Sequence, residues 1–68
     1  MTVREGSSLV GKTVREVTQS IAPGVTILAI RRKHQLVTQP PAEVQVGVGD
    51  ELVAIGSSAQ LHLLETAS

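Results

Sequence analysis

The apolar positions of the chain change period several times, and each change marks an element. Thr2 to Glu5 reads as a short strand closed by the loop Gly6-Ser7-Ser8. Leu9 and Val10 lead through Gly11-Lys12 into Thr13-Val14-Arg15-Glu16, the pattern of a capping box. Here the Thr13 hydroxyl accepts from the backbone of residue 16, and Glu16 reaches back to the Thr13 amide. Val10, Val14, Val17 and Ile21 follow the spacing of one helical face, and Pro23-Gly24 stops it, which predicts a helix over residues 13–21. Val25 to Arg32 then turns β-rich. Val25, Ile27 and Ala29 point one way and Leu28 and Ile30 the other, so this strand is apolar on both faces and must be covered on both. The preceding helix supplies one cover; a partner subunit is the expected source of the other.

Lys33-His34-Gln35 reads as a turn, after which Leu36-Val37-Thr38 returns as a short strand. Pro40-Pro41 interrupts any ladder and forces an extended segment. Val44, Val46 and Val48 alternate with Gln45 and Gly47 as in a half-exposed strand. Gly49-Asp50 turns the chain into a last strand, Glu51 to Ile55, and Gly56-Ser57-Ser58 caps a final helix carrying Leu61 and Leu64, with His62 and Leu63 on its flank. The predicted order is β-α-β-β-β-β-α: an α+β fold, an antiparallel sheet with flanking helices, in a single domain over residues 1–68 without internal repeats.

Composition sharpens this picture in one respect. The 68 residues include no Phe, Trp, Tyr or Cys, so the core must come from Val, Ile, Leu and Ala with no disulfide to help. A core of this size supplies only about 3–5 kcal/mol, and small natural chains usually recruit a staple. A second copy of the chain is the expected one, making a homodimer. The absence of cysteine fits a reducing cytoplasm, and no run approaches the roughly 18 apolar residues needed to span a bilayer. Met1 directly ahead of a strand-like segment fits a domain belonging to a longer protein. Six basic residues balance six acidic ones, which argues against a general nucleic-acid or membrane-surface binder, and no nucleic-acid partner is expected.

Within that neutral chain, Arg31, Arg32, Lys33 and His34 form one basic run behind the apolar strand. Such a layout suits a flat, apolar ligand carrying negative charge; the same run also fits charges that keep a hairpin end in water. Catalysis is not expected. Gly47-Val48-Gly49 begins like a dinucleotide fingerprint, but Leu52 stands where the third Gly belongs and the run leads into a strand, so it reads as a tight turn. Asp50 and Glu51 are neighbours facing opposite ways, a turn residue and a solvated charge, and cannot act as an acid/base pair. His34 and His62 lack metal-ligand spacing, and the serines sit where caps and turns want them. No metal or cofactor is expected.

The order of motifs resembles the C-terminal regulator-of-potassium-conductance domain, also called TrkA-C. Ser8-Leu9-Val10-Gly11-Lys12-Thr13-Val14-Arg15-Glu16-Val17 is similar to its opening, and Gly24-Val25-Thr26-Ile27-Leu28-Ala29-Ile30-Arg31-Arg32 to its central strand. Pro40 or Pro41 falls where the family has proline. Val46 through Gly56 is similar to its Gly-Asp turn and closing strand, and Gln60-Leu61 fits the last helix. The resemblance implies a cytoplasmic, dimeric, ligand-sensing domain of a bacterial potassium channel, potassium uptake system or cation/proton antiporter, and implies cyclic di-AMP as the ligand, bound across the dimer two-fold. Carried over residue by residue, it implies contacts from Val25, Thr26, Ile27 and Ala29 on the strand, from His34 on the hairpin, and from Pro40 and Pro41. Adenine would lie against Val25, Ile27 and Pro41. Some members hold phosphate with an Arg late in the first helix; here that region reads Thr18-Gln19-Ser20, so Arg31 or Arg32 is the expected phosphate contact. The alternatives are a purely structural dimerisation domain, or a sensor of another small nucleotide or anion.

Overall fold

The computed structural model describes all residues, Met1–Ser68. Its first helix, α1, covers Val14–Glu16 and runs on as a π-helical stretch over Val17–Ile21. The capping box forms as the sequence predicts: the Glu16 amide donates to Thr13 Oγ1 (3.2 Å) and the Thr13 amide to Glu16 Oε1 (3.1 Å). Widening to the π form coincides with Thr18, whose hydroxyl donates back to the carbonyls of Val14 (3.0 Å) and Arg15 (3.3 Å) and so competes with the regular ladder. The Ala22 amide then closes on Val17 rather than one residue later. Pro23-Gly24 ends the element, and Gly24 adopts φ +91, a conformation that a side chain would strain. A Cβ there would also collide with the Gln60 side chain, so the turn packs directly against the second helix.

Three strands follow: β1, Thr26–Arg32; β2, Gln35–Thr38; and β3, Glu51–Ile55. They form one antiparallel sheet in the order β2-β1-β3, with β1 in the middle. The chain closes with α2, Ser58–Ala67, capped by a second box in which Gln60 N donates to Ser57 Oγ (3.2 Å) and Ser57 N to Gln60 Oε1 (2.8 Å). The architecture is α+β, an antiparallel sheet with two helices.

The two outlying strand segments of the sequence reading appear as isolated bridges. Thr2 pairs with Glu51 at the edge of β3, where the Leu52 amide also donates to Met1 O (2.7 Å). Gln45 pairs with Thr13, and Val44 and Val46 accept from Val14 (2.9 Å) and Gly11 (2.8 Å), so this segment runs along the start of α1 and not along the sheet. Val46 is buried there, whereas Val48 is exposed, since Gly47 and Gly49 turn the chain before the alternation can continue. Val10 lies outside α1 and is exposed; Leu9 fills the core instead.

A β-bulge between Ile27 and Ala29 changes the alternation expected of β1. Ile27 and Ile30 both turn into the core, opposite Ala54 and Leu52 of β3, and Leu28 is displaced to the exterior. The core lies between this inner face and the helices: Val3, Leu9, Val14, Val17, Ala22, Val25, Val46 and Leu64 complete it. The opposite face of the sheet has no cover within the chain. It exposes Leu28, Leu36, Val53 and Ile55, the last at 59%.

Candidate ligand-binding surface

The uncovered sheet face is defined by register. Arg31 stands on it in the central strand, opposite Leu36 of β2 and Glu51 of β3, while Ala29 stands opposite Thr38 and Val53. Thr26, opposite Ile55, marks the far end. Of the sheet's two arginines, only Arg31 points outward. Its guanidinium lies 4.0 Å from the Glu51 carboxylate, with both side chains about half exposed.

Arg32, one residue on, turns the other way and is already engaged. Its Nε donates to Asp50 Oδ2 at 3.0 Å, and its Nη2 donates to the Gln45 carbonyl. Asp50 is buried, its side chain 7% exposed, and also accepts from the Gly47 amide at 2.8 Å. Asp50 is therefore the anchor of the hairpin to the loop before β3. Local sequence pattern marks it as a turn residue alone; it does close that turn, but its main partner lies eighteen positions away, beyond the reach of local pattern. Expecting Arg32 as a free phosphate contact overlooked the same long-range pair.

The remaining predicted positions separate along β1. Val25 and Ile27 are in the core, so their side chains cannot lie against an adenine from outside as expected; burial leaves only their backbone within reach. Ala29 is buried between its strand neighbours. Thr26 and Pro41 are exposed and Pro40 half-buried near one end of β1, where the Gln39 amide donates to Leu28 O (2.8 Å). Arg31, Arg32 and His34 lie at the other end. Five residue steps along the strand take Thr26 to Arg31, roughly 17 Å, so one copy does not gather them into a single pocket. Lys33 and His34 form the two-residue hairpin turn, with Lys33 at φ 51, and the hollow beside it, about 730 Å³ and wide open, is lined by both together with Gln35, Val48 and Gly49.

The family profile of the TrkA-C domain matches residues 1–67. The chain belongs to the TrkA-C family. Its domain is regulatory and not an enzyme. Comparison with curated proteins gave no match. Among solved structures, the chain is similar to the RCK C-terminal domain dimer of S. agalactiae BusR in complex with c-di-AMP, at TM-score 0.83 and 24% identity over 98% of this chain and 88% of that one. It is also similar to S. agalactiae BusR in complex with its promoter DNA, at TM-score 0.83 and 25% identity, covering 98% of this chain and 33% of that one. A third is the C domain of the potassium transport protein KtrA in complex with cyclic diadenosine monophosphate, at TM-score 0.78 and 22% identity, covering 97% of this chain and 75% of that one.

These neighbours correct one expectation. The charge balance argues against a nucleic-acid partner, yet the same fold occurs in a chain solved on promoter DNA. This TrkA-C domain spans only about a third of that chain, so the charge of a domain this size does not decide what the protein around it binds. No helix of the chain is long and apolar enough to cross a membrane.

Proposed function

We propose that this TrkA-C domain is a cytoplasmic ligand-sensing module in which two copies pair across their uncovered sheet faces and bind cyclic di-AMP at the seam. The observation that carries this reading is the outer face itself: four exposed aliphatic side chains around a single outward arginine, on a sheet whose other face is packed. Water does not favour such a face in isolation, and a two-fold partner buries the same residues from both sides. Neighbours of the same fold solved with cyclic di-AMP support the choice of that ligand.

Stacking two such faces about a two-fold perpendicular to β1 runs the central strands in opposite directions. Arg31 of one subunit then approaches the Thr26–Pro41 end of the other, uniting the residues that one copy holds about 17 Å apart. Arg31 supplies a guanidinium for each of the two phosphates. Thr26, Pro40, Pro41 and the backbone around Val25, Ile27 and Ala29 contact the bases, and His34 closes the hairpin side. Arg32 holds the hairpin in place through Asp50. Ligand binding favours one relative arrangement of the two subunits only to the extent that it binds that arrangement more tightly. That shift would be read by a potassium channel, an uptake protein or a cation/proton antiporter joined to the domain. A second output, favoured by the promoter-bound neighbour, is a DNA-binding regulator carrying the domain.

Calorimetric titration of the chain with cyclic di-AMP tests this. The expected result is one ligand per two chains, with Arg31→Ala weakening binding at least tenfold while leaving the dimer intact. No heat at high micromolar ligand, with a stable dimer, would leave a purely structural dimerisation role or a different small anion. Equal losses of binding and dimerisation on Arg31→Ala would make the arginine structural.

A further inference from the structure

Glu51 is the one acidic residue in the three strands, and register places it directly across from Arg31 on the uncovered face. The two side chains are 4.0 Å apart and about half exposed, a loose ion pair held by neither burial nor a hydrogen bond. Such a pair contributes little to folding. Its consequence for an anionic ligand is larger, because both of its effects act at the guanidinium that must meet the phosphate. Glu51 offsets the positive charge that the phosphate needs, and its own charge repels the incoming anion. Arg32 shows the contrast: its carboxylate partner is buried and also hydrogen-bonded to the Gly47 amide, so that pair is fixed and not exchangeable.

We propose that Glu51 is a built-in competitor for Arg31, an intramolecular anion that sets the threshold at which a phosphate-bearing ligand takes the guanidinium. The inference rests on the ligand reading given above and names how the affinity of that site is set. In the empty state Arg31 rests against Glu51; on binding, the phosphate replaces the carboxylate, and Glu51 swings into water without breaking any core contact. Because the site is used twice in a two-fold dimer, the competition acts twice on one ligand. Removing the carboxylate charge while keeping its shape therefore tightens binding by a factor compounded over two copies. For exposed charge pairs this compounds to about threefold or more.

The test is calorimetric titration of wild type, Glu51→Gln, Arg31→Ala and the double variant with cyclic di-AMP, with the dimer dissociation constant measured alongside by sedimentation. Glu51→Gln is expected to lower Kd about threefold or more at low salt, with a smaller gain at high salt, where the pair is screened. It is expected to leave the dimer constant within about twofold, because Glu51 is the first residue of the edge strand β3 and Gln keeps its shape. In the Arg31→Ala background the Glu51→Gln gain should be markedly reduced, since the carboxylate then has no guanidinium to contest. Unchanged or weaker binding by Glu51→Gln, while wild type binds, would overturn the competitor role and leave the ligand reading standing. So would an equal gain with and without Arg31, which would reduce Glu51 to a general background charge. Weakened dimerisation on Glu51→Gln would make it a seam residue and overturn the role as well. Failure of wild type to bind at all would overturn the ligand reading, and this inference with it.

Discussion

At the residue scale the two adjacent arginines illustrate how burial decides role. Arg32 and Asp50 form a pair in which the carboxylate is almost fully enclosed and the guanidinium 38% exposed. Deleting Arg32 leaves Asp50 buried without its counter-charge, so Arg32→Ala is expected to destabilise the domain by about 2 kcal/mol, below the range for fully buried pairs because Arg32 is partly solvated. Arg31→Ala is expected to cost less than about 1 kcal/mol. Urea denaturation of the two variants checks the contrast. Equal losses would contradict the assignment of one arginine to folding and the other to the surface. The sequence displayed both as members of one basic run, because the partner that separates their roles is remote in the chain.

At the scale of elements, the capping signals were fully legible. Thr13 with Glu16, and Ser57 at the start of α2, act over three residues and are determined locally. The Glu16 carboxylate accepts the Thr13 backbone N–H and, secondarily, its hydroxyl, and these bonds hold its pKa below the usual glutamate range, with Lys12 adding a smaller push in the same direction. A depressed folded pKa means that the capping contribution is present above the ordinary glutamate range and is lost as pH falls through the lowered value. Glu16→Gln keeps an oxygen for the Thr13 amide and removes the titration. The melting-temperature advantage of wild type over Glu16→Gln should therefore shrink as the solution is acidified through that window; an advantage that grows with acid would contradict the account. The bulge at Leu28 and the π widening of the first helix were not legible. Each depends on a competition, between ladder registers in one case and between the Thr18 hydroxyl and backbone donors in the other, which periodicity alone does not resolve.

At the scale of the whole molecule, the sequence exposed the shortage of cover. A central strand apolar on both sides, in a chain with no aromatic residue, pointed to an uncovered face before the structure showed it, and that face is present with Leu28, Leu36, Val53 and Ile55 in solvent. The candidate site was less legible, since naming Val25, Ile27 and Arg32 required knowing which way each side chain points, and all three turn toward the inside of the fold. What survives on the outer surface, Thr26, Arg31, His34 and Pro41, lies toward opposite ends of β1, and the proposed pairing of two copies is what would unite it.

Sedimentation velocity of the wild-type chain at low micromolar concentration addresses that dependence most directly. A single species of twice the chain mass, shifted to monomer when Val53 is replaced by Lys, is the predicted result. A well-folded monomer across the same concentrations would contradict the account, because without the second copy neither the covered face nor the joined binding surface exists.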